Sequence, residues 1–154
     1  MKQIKLTKGK YALVDDSDFK ELSKYKWYFD GRYAMTSVKE FNEWKMVHMH
    51  RFLLSAPKDM ETDHINCNML DNRKENLRVC TGSQNQMNRE VNRNNTSGYK
   101  GVSFNKRRRV WYAYIKLNYK LTYLGQFTDK KKAAFAYNEA ALKFFGEFAK
   151  LNEV

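Results

Sequence analysis

The sequence predicts an α+β protein built in pieces: a β-rich N-terminal segment, a central part rich in Asn, Asp and Arg on which it packs or into which it leads, a linker, and a three-stranded antiparallel sheet packed on one helix. Three observations support this prediction. Short β-prone stretches separated by turn residues occupy the first fifty residues. Apolar and polar residues alternate with period two near residues 110–127, and a mostly apolar, alanine-rich stretch follows. Separate runs of strands and helix are typical of the α+β class.

The N-terminal segment is predicted to contain strands, turns and one short helix. Lys10–Val14 and Trp27–Phe29 are β-prone, and Trp44–Arg51 has the pattern of a further strand. The acidic residues 15–18 can cap a short helix over Phe19–Tyr25, because carboxylates accept hydrogen bonds from the first amides of a helix. We expect this part of the chain to be structural.

A polar stretch and a change in charge divide the chain. The stretch 91–97, VNRNNTS, has almost nothing to bury and is typical of a linker. We therefore predict a first domain over residues 1–92, a linker at 93–97 and a second domain over residues 98–154. Residues 93–154 carry 13 Lys and Arg against 4 Asp and Glu, whereas the preceding residues carry 16 against 13. The net charge of +12 indicates a polyanionic partner, and most of the excess is C-terminal.

The second domain is predicted to be a small sheet with one helix. Gly98–Phe104 is followed by a basic turn, Asn105–Arg109, and by strands over Val110–Leu117 and Leu121–Phe127. A helix should begin near Thr128, where Thr128 and the next residue supply cap chemistry. Alternation would turn one side of the middle strand toward the helix, namely Trp111, Ala113, Ile115 and Leu117. The other side would present Tyr112, Tyr114 and Lys116.

Several protein classes are disfavoured by the sequence. The chain has no run of 18 apolar residues, and its charged N-terminus does not suit a signal peptide, so no membrane association is expected. Cys67 and Cys80 form neither a CxxC pair nor a zinc-type spacing, so we assign both to packing.

Chemically useful residues are concentrated between residues 63 and 88. They lie in three segments: Asp63-His64-Ile65-Asn66, Asp71-Asn72-Arg73-Lys74-Glu75-Asn76-Leu77 and Ser83-Gln84-Asn85-Gln86-Met87-Asn88. Hydrolysis of a phosphodiester needs a base to activate water and a cation to neutralise developing charge. His64 can be the base. Asp63 and Asn85 can bind a hard divalent ion, because Mg²⁺ prefers oxygen ligands and keeps several waters. Asp63 and His64 would point to opposite faces of a strand, so a twist or bulge would be needed to bring both to one site.

These segments resemble the HNH, or ββα-metal, nucleases, in particular homing endonucleases of phages and introns. The resemblance covers about Met49–Asn88, where HR, DHIN, LDNRKENLR and SQNQMN occur in this order. It implies a strand ending at the base, a long loop, a second strand and a helix carrying the last ligand. By position it implies His64 as general base, Asp63 and Asn85 as ligands of Mg²⁺ or Mn²⁺, and Asn76 as the residue that bonds across the loop.

Three further residues near this motif are polar: His48, His50 and Arg51. Arg51 is a candidate for contact with substrate phosphate. His48 and His50 would share one side of the predicted strand, and a core or strand-surface role is the simpler interpretation for them and for Arg51.

The second domain resembles the AP2 DNA-binding domain over about residues 95–152. The motifs are GYKGV, WYAYI, YLGQF and the alanine-rich helix. The resemblance implies a sheet placed in the DNA major groove with a helix behind it. The candidate DNA-contacting residues are Lys100, Arg107, Arg108, Arg109, Tyr112, Tyr114, Lys116 and Tyr123. The arginine cluster could instead be a solvated turn, as most charge runs are. The family's base-reading arginines are only partly reproduced, so its target sequence cannot be transferred.

The favoured hypothesis is a metal-dependent DNA endonuclease of homing or phage type that nicks or cuts double-stranded DNA. It would act as a monomer in the cytoplasm of a bacterial or phage-infected cell. The alternative is a sequence-specific DNA-binding regulator whose nuclease site is silent. RNA binding through the tyrosine-rich domain is a third hypothesis, since aromatic rings stack on unpaired bases.

Overall fold

The computed structural model describes residues 1–117 and 120–154, which form two compact units over residues 1–85 and 86–154. We refer to them as the N-terminal and C-terminal units. All named strand pairs are antiparallel and helices are interspersed, so the α+β class is confirmed. In the described part of the chain, no helix is both long and apolar enough to span a membrane.

Short hairpins and helices make up the N-terminal unit. Its elements are β1 (Lys2–Lys5), β2 (Tyr11–Val14), α1 (Asp16–Leu22), β3 (Tyr28–Phe29), β4 (Ala34–Glu40), β5 (Glu43–His48), α2 (Met49–Leu54), β6 (Glu61–His64), β7 (Leu77–Cys80) and α3 (Gly82–Met87), whose last two residues belong to the C-terminal unit. They form a β1–β2 hairpin, a β3–β4–β5 sheet and a β6–β7 hairpin. Short 3-10 turns occur at residues 7–9 and 74–76.

The apolar core of the N-terminal unit lies under the first two sheets. Its buried members are Ile4, Leu6, Ala12, Val14, Leu22, Trp27, Ala34 and Met49. The indole N–H of Trp27 donates to the carbonyl oxygen of Leu22 at 2.8 Å, so this large ring is buried without losing its hydrogen bond.

The predicted strand Trp44–Arg51 is wrong at its C-terminal end. β5 ends at His48, and the next six residues form α2. Met49, Phe52 and Leu53 have the i, i+3, i+4 spacing of one helix face, and all three pack into the core. His50 therefore lies on a helix, and the prediction that it follows His48 along a strand is incorrect.

The first helix, α1, begins at a different residue from the one predicted. α1 begins at Asp16 rather than Phe19, so two acidic residues lie inside its first turn, where they favour the helix dipole. Asp15 is the N-cap residue but makes no side-chain cap bond. Its Oδ2 instead accepts from the backbone N–H of Lys74 at 2.8 Å.

The C-terminal unit is a three-stranded sheet with one long helix. Its elements are β8 (Val102–Asn105), β9 (Val110–Leu117), β10 (Lys120–Phe127) and α4 (Lys130–Phe145), followed by a 3-10 turn at residues 146–148. The strand order is β10–β9–β8. The side of β9 that alternation assigns to the interior does pack against buried residues of α4, namely Ala133, Ala134, Tyr137, Ala141 and Phe145.

Two local features position α4 against the sheet, a capping residue at its start and a glycine that contacts it closely. Asp129 is the N-cap of α4, and its Oδ1 accepts from the N–H groups of Lys131 and Lys132 at 2.6 and 3.1 Å. Gly101 has a φ of +73°, and a Cβ there would lie 2.1 Å from Cδ2 of Tyr137. Only glycine fits so close to the helix.

The structure places residues 93–97 inside the C-terminal unit. Ser97 is buried, and its hydroxyl donates to the carbonyl oxygen of Tyr99 at 2.9 Å. The amide nitrogen of Asn95 donates to the same carbonyl at 3.1 Å. Polar side chains here satisfy local backbone groups in a turn, and for that reason a stretch with little to bury can still be ordered.

Candidate active site

The Asp-His pair lies at the end of a regularly paired strand. Within the β6–β7 hairpin, Asp63 is opposite Arg78 and His64 is opposite Leu77, with no shift of register. Asp63 and His64 therefore point to opposite faces of the hairpin. No bulge is present, but Asp63 and His64 are the last two residues of β6, so both side chains can be approached from the C-terminal end of the strand.

A long loop, residues 65–76, joins the two strands, and Asn76 bonds across it. The side-chain oxygen of Asn76 accepts from the N–H of Asn66 at 2.9 Å, and its amide nitrogen donates to the carbonyl oxygen of Asp71 at 2.8 Å. Its backbone carbonyl accepts from the N–H of Ile65 at 2.9 Å. One buried amide thus closes the loop directly behind His64.

Asp71 is the second fixed point of the loop. Its carboxylate accepts from Nδ2 of Asn66 at 2.8 Å and from Nε and Nη2 of Arg73 at 2.8 and 2.7 Å. The Arg73 guanidinium lowers the pKa of Asp71, which stays charged although it is only 2% exposed. Backbone bonds of Leu13 in β2 with residues 70 and 72, both 2.8 Å, anchor this loop to the core.

His64 lies in a cluster of aromatic rings and is only 2% exposed. The centroid of its ring is 5.0 Å from that of His50 and 6.1 Å from that of Tyr33. His48 stacks on His50, with centroids 5.2 Å apart and planes 9° from parallel, and its Nε2 lies 3.5 Å from Oδ2 of Asp30. The β3–β4–β5 sheet and α2 therefore build one wall of the pocket around His64.

Burial keeps both inner histidines neutral. It lowers the pKa of His64, against the raising effects of Asn72, Asp63 and Asp71. Burial and the proximity of His64 lower the pKa of His50 to about 3. A neutral imidazole is the form that can accept a proton, so His64 has the protonation state that a base requires.

The opposite face of β6 carries the carboxylates. Oδ2 of Asp63 accepts from Nε and Nη2 of Arg78 at 2.9 and 2.7 Å, and both side chains are largely buried. Glu61 lies two residues earlier on the same face. Its Oε2 accepts from the amide nitrogen of Asn85 at 2.6 Å, so α3 contacts the strand beside Asp63.

A capping box starts α3 and orients Asn85. The hydroxyl of Thr81 accepts from the N–H of Gln84 at 3.2 Å, and Oε1 of Gln84 accepts from the N–H of Thr81 at 2.8 Å. A Cβ on Gly82 would lie 3.0 Å from Oε1 of Glu61, so glycine permits the close approach of that carboxylate. Glu61 is not among the residues predicted from the sequence, although its period-two relation to Asp63 was a usable signal.

The donors on this face suit a hard divalent cation. Asp63 offers a carboxylate, and Asn85 offers Oδ1 because its amide nitrogen is directed at Glu61. Among the described residues, no three His, Cys, Asp or Glu side chains are grouped to hold a metal. A set of two oxygen ligands completed by water is nevertheless ordinary for Mg²⁺. The residues therefore fit such an ion, with Arg78 already neutralising part of the charge of Asp63.

Sequence comparisons identify the family of this chain. A family model described as HNH endonuclease matches residues 46–87, which include every residue of the β6–β7–α3 arrangement. A protein of Acanthamoeba polyphaga mimivirus, "Uncharacterized HNH endonuclease L560", is 31% identical over 153 residues, which are 96% of this chain and 77% of that protein. The chain belongs to the HNH endonuclease family. "Protein 3.8" of Escherichia phage T7 is 40% identical over 55 residues, which are 36% of this chain and 46% of that protein.

Two predicted DNA contacts of this HNH endonuclease are engaged inside the protein. Arg51 donates from Nη1 to the carbonyl oxygen of Met60 at 2.8 Å and from Nη2 to that of Pro57 at 2.8 Å, so it closes the turn before β6. Nζ of Lys100 donates to the carbonyl oxygens of Met87 and Arg89 at 2.6 and 2.7 Å. These bonds give both side chains a structural role.

The other predicted DNA contacts of the nuclease form two surface groups in the C-terminal unit. Tyr112, Tyr114 and Tyr123 meet on the sheet face away from α4, with ring centroids 5.4 to 6.0 Å apart. Lys116 is exposed on the same side of β9. The turn between β8 and β9 contains three exposed arginines, Arg107, Arg108 and Arg109.

Proposed function

We propose that this HNH endonuclease hydrolyses phosphodiester bonds of double-stranded DNA with a divalent cation, Mg²⁺ or Mn²⁺, in the manner of homing or phage-type enzymes. The observation that carries the proposal is the 2.6 Å bond between Asn85 and Glu61. It holds the amide of α3 against the strand that ends in Asp63 and His64. The HNH endonuclease family and the mimivirus relative of that name support endonuclease activity.

In this proposal each side chain has one task. His64 is the general base and removes a proton from the attacking water at a ring nitrogen. Asp63 and Oδ1 of Asn85 hold the cation, which when bound neutralises charge on the phosphorane and on the leaving 3′ oxygen. Asn76 is a positioning residue, because its bonds fix the loop that follows His64.

The test of metal dependence uses supercoiled plasmid DNA and the purified full chain. With Mg²⁺ or Mn²⁺ we expect nicked or linear product, and with excess EDTA we expect none. Gel electrophoresis separates nicked from linear DNA and so also shows whether one or both strands are cut. Cleavage that continues in EDTA would overturn the metal-dependent mechanism.

We further propose that the C-terminal unit reads DNA as an AP2-type domain. Its tyrosine-rich face lies away from the helix and is accompanied by the exposed arginine turn. Side chains on such a face can contact base edges in the major groove, whereas the arginines of the turn would contact phosphates.

Tyr114→Ala and Lys116→Ala together should relax site choice more than they weaken binding. Loss of a base-edge contact costs roughly 1–3 kcal/mol of discrimination. Duplexes selected from a random pool would be compared with random duplexes by fluorescence anisotropy. Phe135→Ala is the matched control, since this exposed ring lies on α4. Unchanged discrimination in the double variant would remove this face from DNA reading.

A further inference from the structure

The β4–β5 hairpin exposes large apolar side chains that the proposed chemistry does not use. Phe41, Trp44 and Met46 are 92%, 70% and 57% exposed. Large exposed apolar side chains grouped on one element of a soluble protein usually mark a binding surface. We call these three residues the apolar ridge.

The tip of the hairpin places Phe41 where a phenylalanine is disfavoured. Phe41 and Asn42 form the two-residue turn, with φ values of +47° and +70°. This is the conformation of a type I′ turn, which favours Asn, Asp and Gly at both positions. Phe41 adopts a backbone conformation that is unfavourable for an aromatic residue, and its exposed ring adds little packing to stabilise the folded chain. Its presence at this position therefore indicates a role in binding another molecule.

Charge is divided between the two faces of the hairpin. Trp44 lies opposite Lys39, and Met46 lies opposite Ser37, so these side chains share one face. Glu40 and Glu43 lie opposite each other on the other face, where Glu40 pairs with Lys45 at 2.6 Å. The face that bears Trp44 and Met46 thus carries Lys39 and no carboxylate of the hairpin itself, and Asp30 reaches this face only at its far end, beside His48. A lysine next to exposed apolar side chains suits a polyanion.

The same face leads to the candidate base. His48 follows Met46 on this face of β5 and stacks on His50, whose ring contacts that of His64. Along a strand, Trp44 is about 13 Å from His48, and the rings of His50 and His64 follow at centroid distances of 5.2 and 5.0 Å. The path from Trp44 to His64 is therefore at most about 23 Å, or roughly seven base-pair steps. A DNA phosphate at His64 would thus have neighbouring base pairs within reach of the ridge.

We propose that the apolar ridge is a wedge that inserts into duplex DNA at a base-pair step within about seven positions of the scissile phosphate. Apolar side chains inserted in this way partly unstack a step and kink the duplex, and tryptophan can stack on the exposed base. The inference rests on the proposed function in one respect, that the substrate of His64 is double-stranded DNA. The competing hypothesis is that the apolar ridge binds a second copy of this chain.

Tryptophan fluorescence tests the insertion directly. The full chain would be titrated in EDTA with a 30-base-pair duplex that it selects from a random pool. We expect quenching of tryptophan emission that is lost in Trp44→Leu and retained in Trp111→Phe. 2-Aminopurine placed along the duplex should brighten severalfold at the unstacked step with the parental chain and stay dim with Phe41→Ser/Trp44→Ser.

Salt dependence separates the wedge from phosphate binding. Phe41→Ser/Trp44→Ser should lower affinity at least tenfold and leave the slope of log affinity against log salt unchanged. Lys39→Ala should reduce that slope by roughly 0.9, because one phosphate contact is lost. The control is Phe135→Ser/Phe144→Ser, which removes two exposed rings from α4 and should change neither quantity.

Two results would overturn the wedge. One is equal quenching in the parental chain and Trp44→Leu. The other is a dimer, seen by size-exclusion chromatography, that Phe41→Ser/Trp44→Ser separates without altering DNA quenching. Failure of the nuclease proposal would look different: the selected duplex would be bound with quenching but would remain uncut after addition of Mg²⁺.

Discussion

Replacing His64 by alanine is expected to reduce DNA cleavage by about 10²–10⁴-fold, which is the usual contribution of a positioned general base. Burial lowers the pKa of this imidazole, so the parental side chain is ready to accept a proton. DNA binding should be nearly unchanged, because most of the basic excess lies in the C-terminal part of the chain. Plasmid cleavage rates and duplex affinity would be measured on the same preparations.

A buried ring cannot be removed without some structural effect, so the experiment needs a control. His64→Gln keeps a polar group in the pocket but cannot act as a base of comparable strength, and it should be equally inactive. Thermal unfolding of both variants shows whether the fold persists. Cleavage by a folded His64→Ala chain at the parental rate would contradict the assignment.

Asp63→Ala is expected to abolish metal-dependent cleavage, with a loss of at least about 10²-fold, because the charged ligand contributes most to holding the cation. This substitution also leaves Arg78 without its carboxylate partner. Since both side chains are largely buried, the free energy of unfolding should fall by about 3–5 kcal/mol. Asn85→Ala should reduce cleavage less and stability little, since Asn85 is only partly buried.

The double variant Asp63→Ala/Arg78→Ala separates the two effects of Asp63. Removing both charges should recover much of the lost stability but none of the activity. The midpoint of urea unfolding and the Mg²⁺ concentration for half-maximal cleavage are the measurements. The metal-ligand assignments fail if Asn85→Ala and the double variant both cleave with parental Mg²⁺ dependence.

The C-terminal sheet could be predicted from the sequence because its information is local. Alternation along residues 110–117 assigned the inner and outer faces of β9, and Asp129 supplied the cap that starts α4. The strand predicted to end at Arg51 was less accurate. Its last residues contain both strand-forming and helix-forming patterns, and burial of Met49 against distant parts of the chain decides between them.

The surroundings of His64 could not be predicted in the same way. Tyr33 and His50 reach its ring from a different sheet and from a helix, and no spacing in the sequence links them. Arg51 was predicted to contact DNA from its place beside the nuclease motif, and Lys100 from its place in the GYKGV motif. Whether a cation faces solvent or a backbone carbonyl depends on turns whose geometry only the folded chain defines.

The ion pair between Asp63 and Arg78 bears on whether the folded protein needs a bound cation. A carboxylate this buried usually needs a compensating positive charge before the chain can fold. Arg78 provides that charge from within the same hairpin. The fold therefore does not need a bound cation to compensate Asp63, and in the proposed mechanism the cation would be required for cleavage and not for folding.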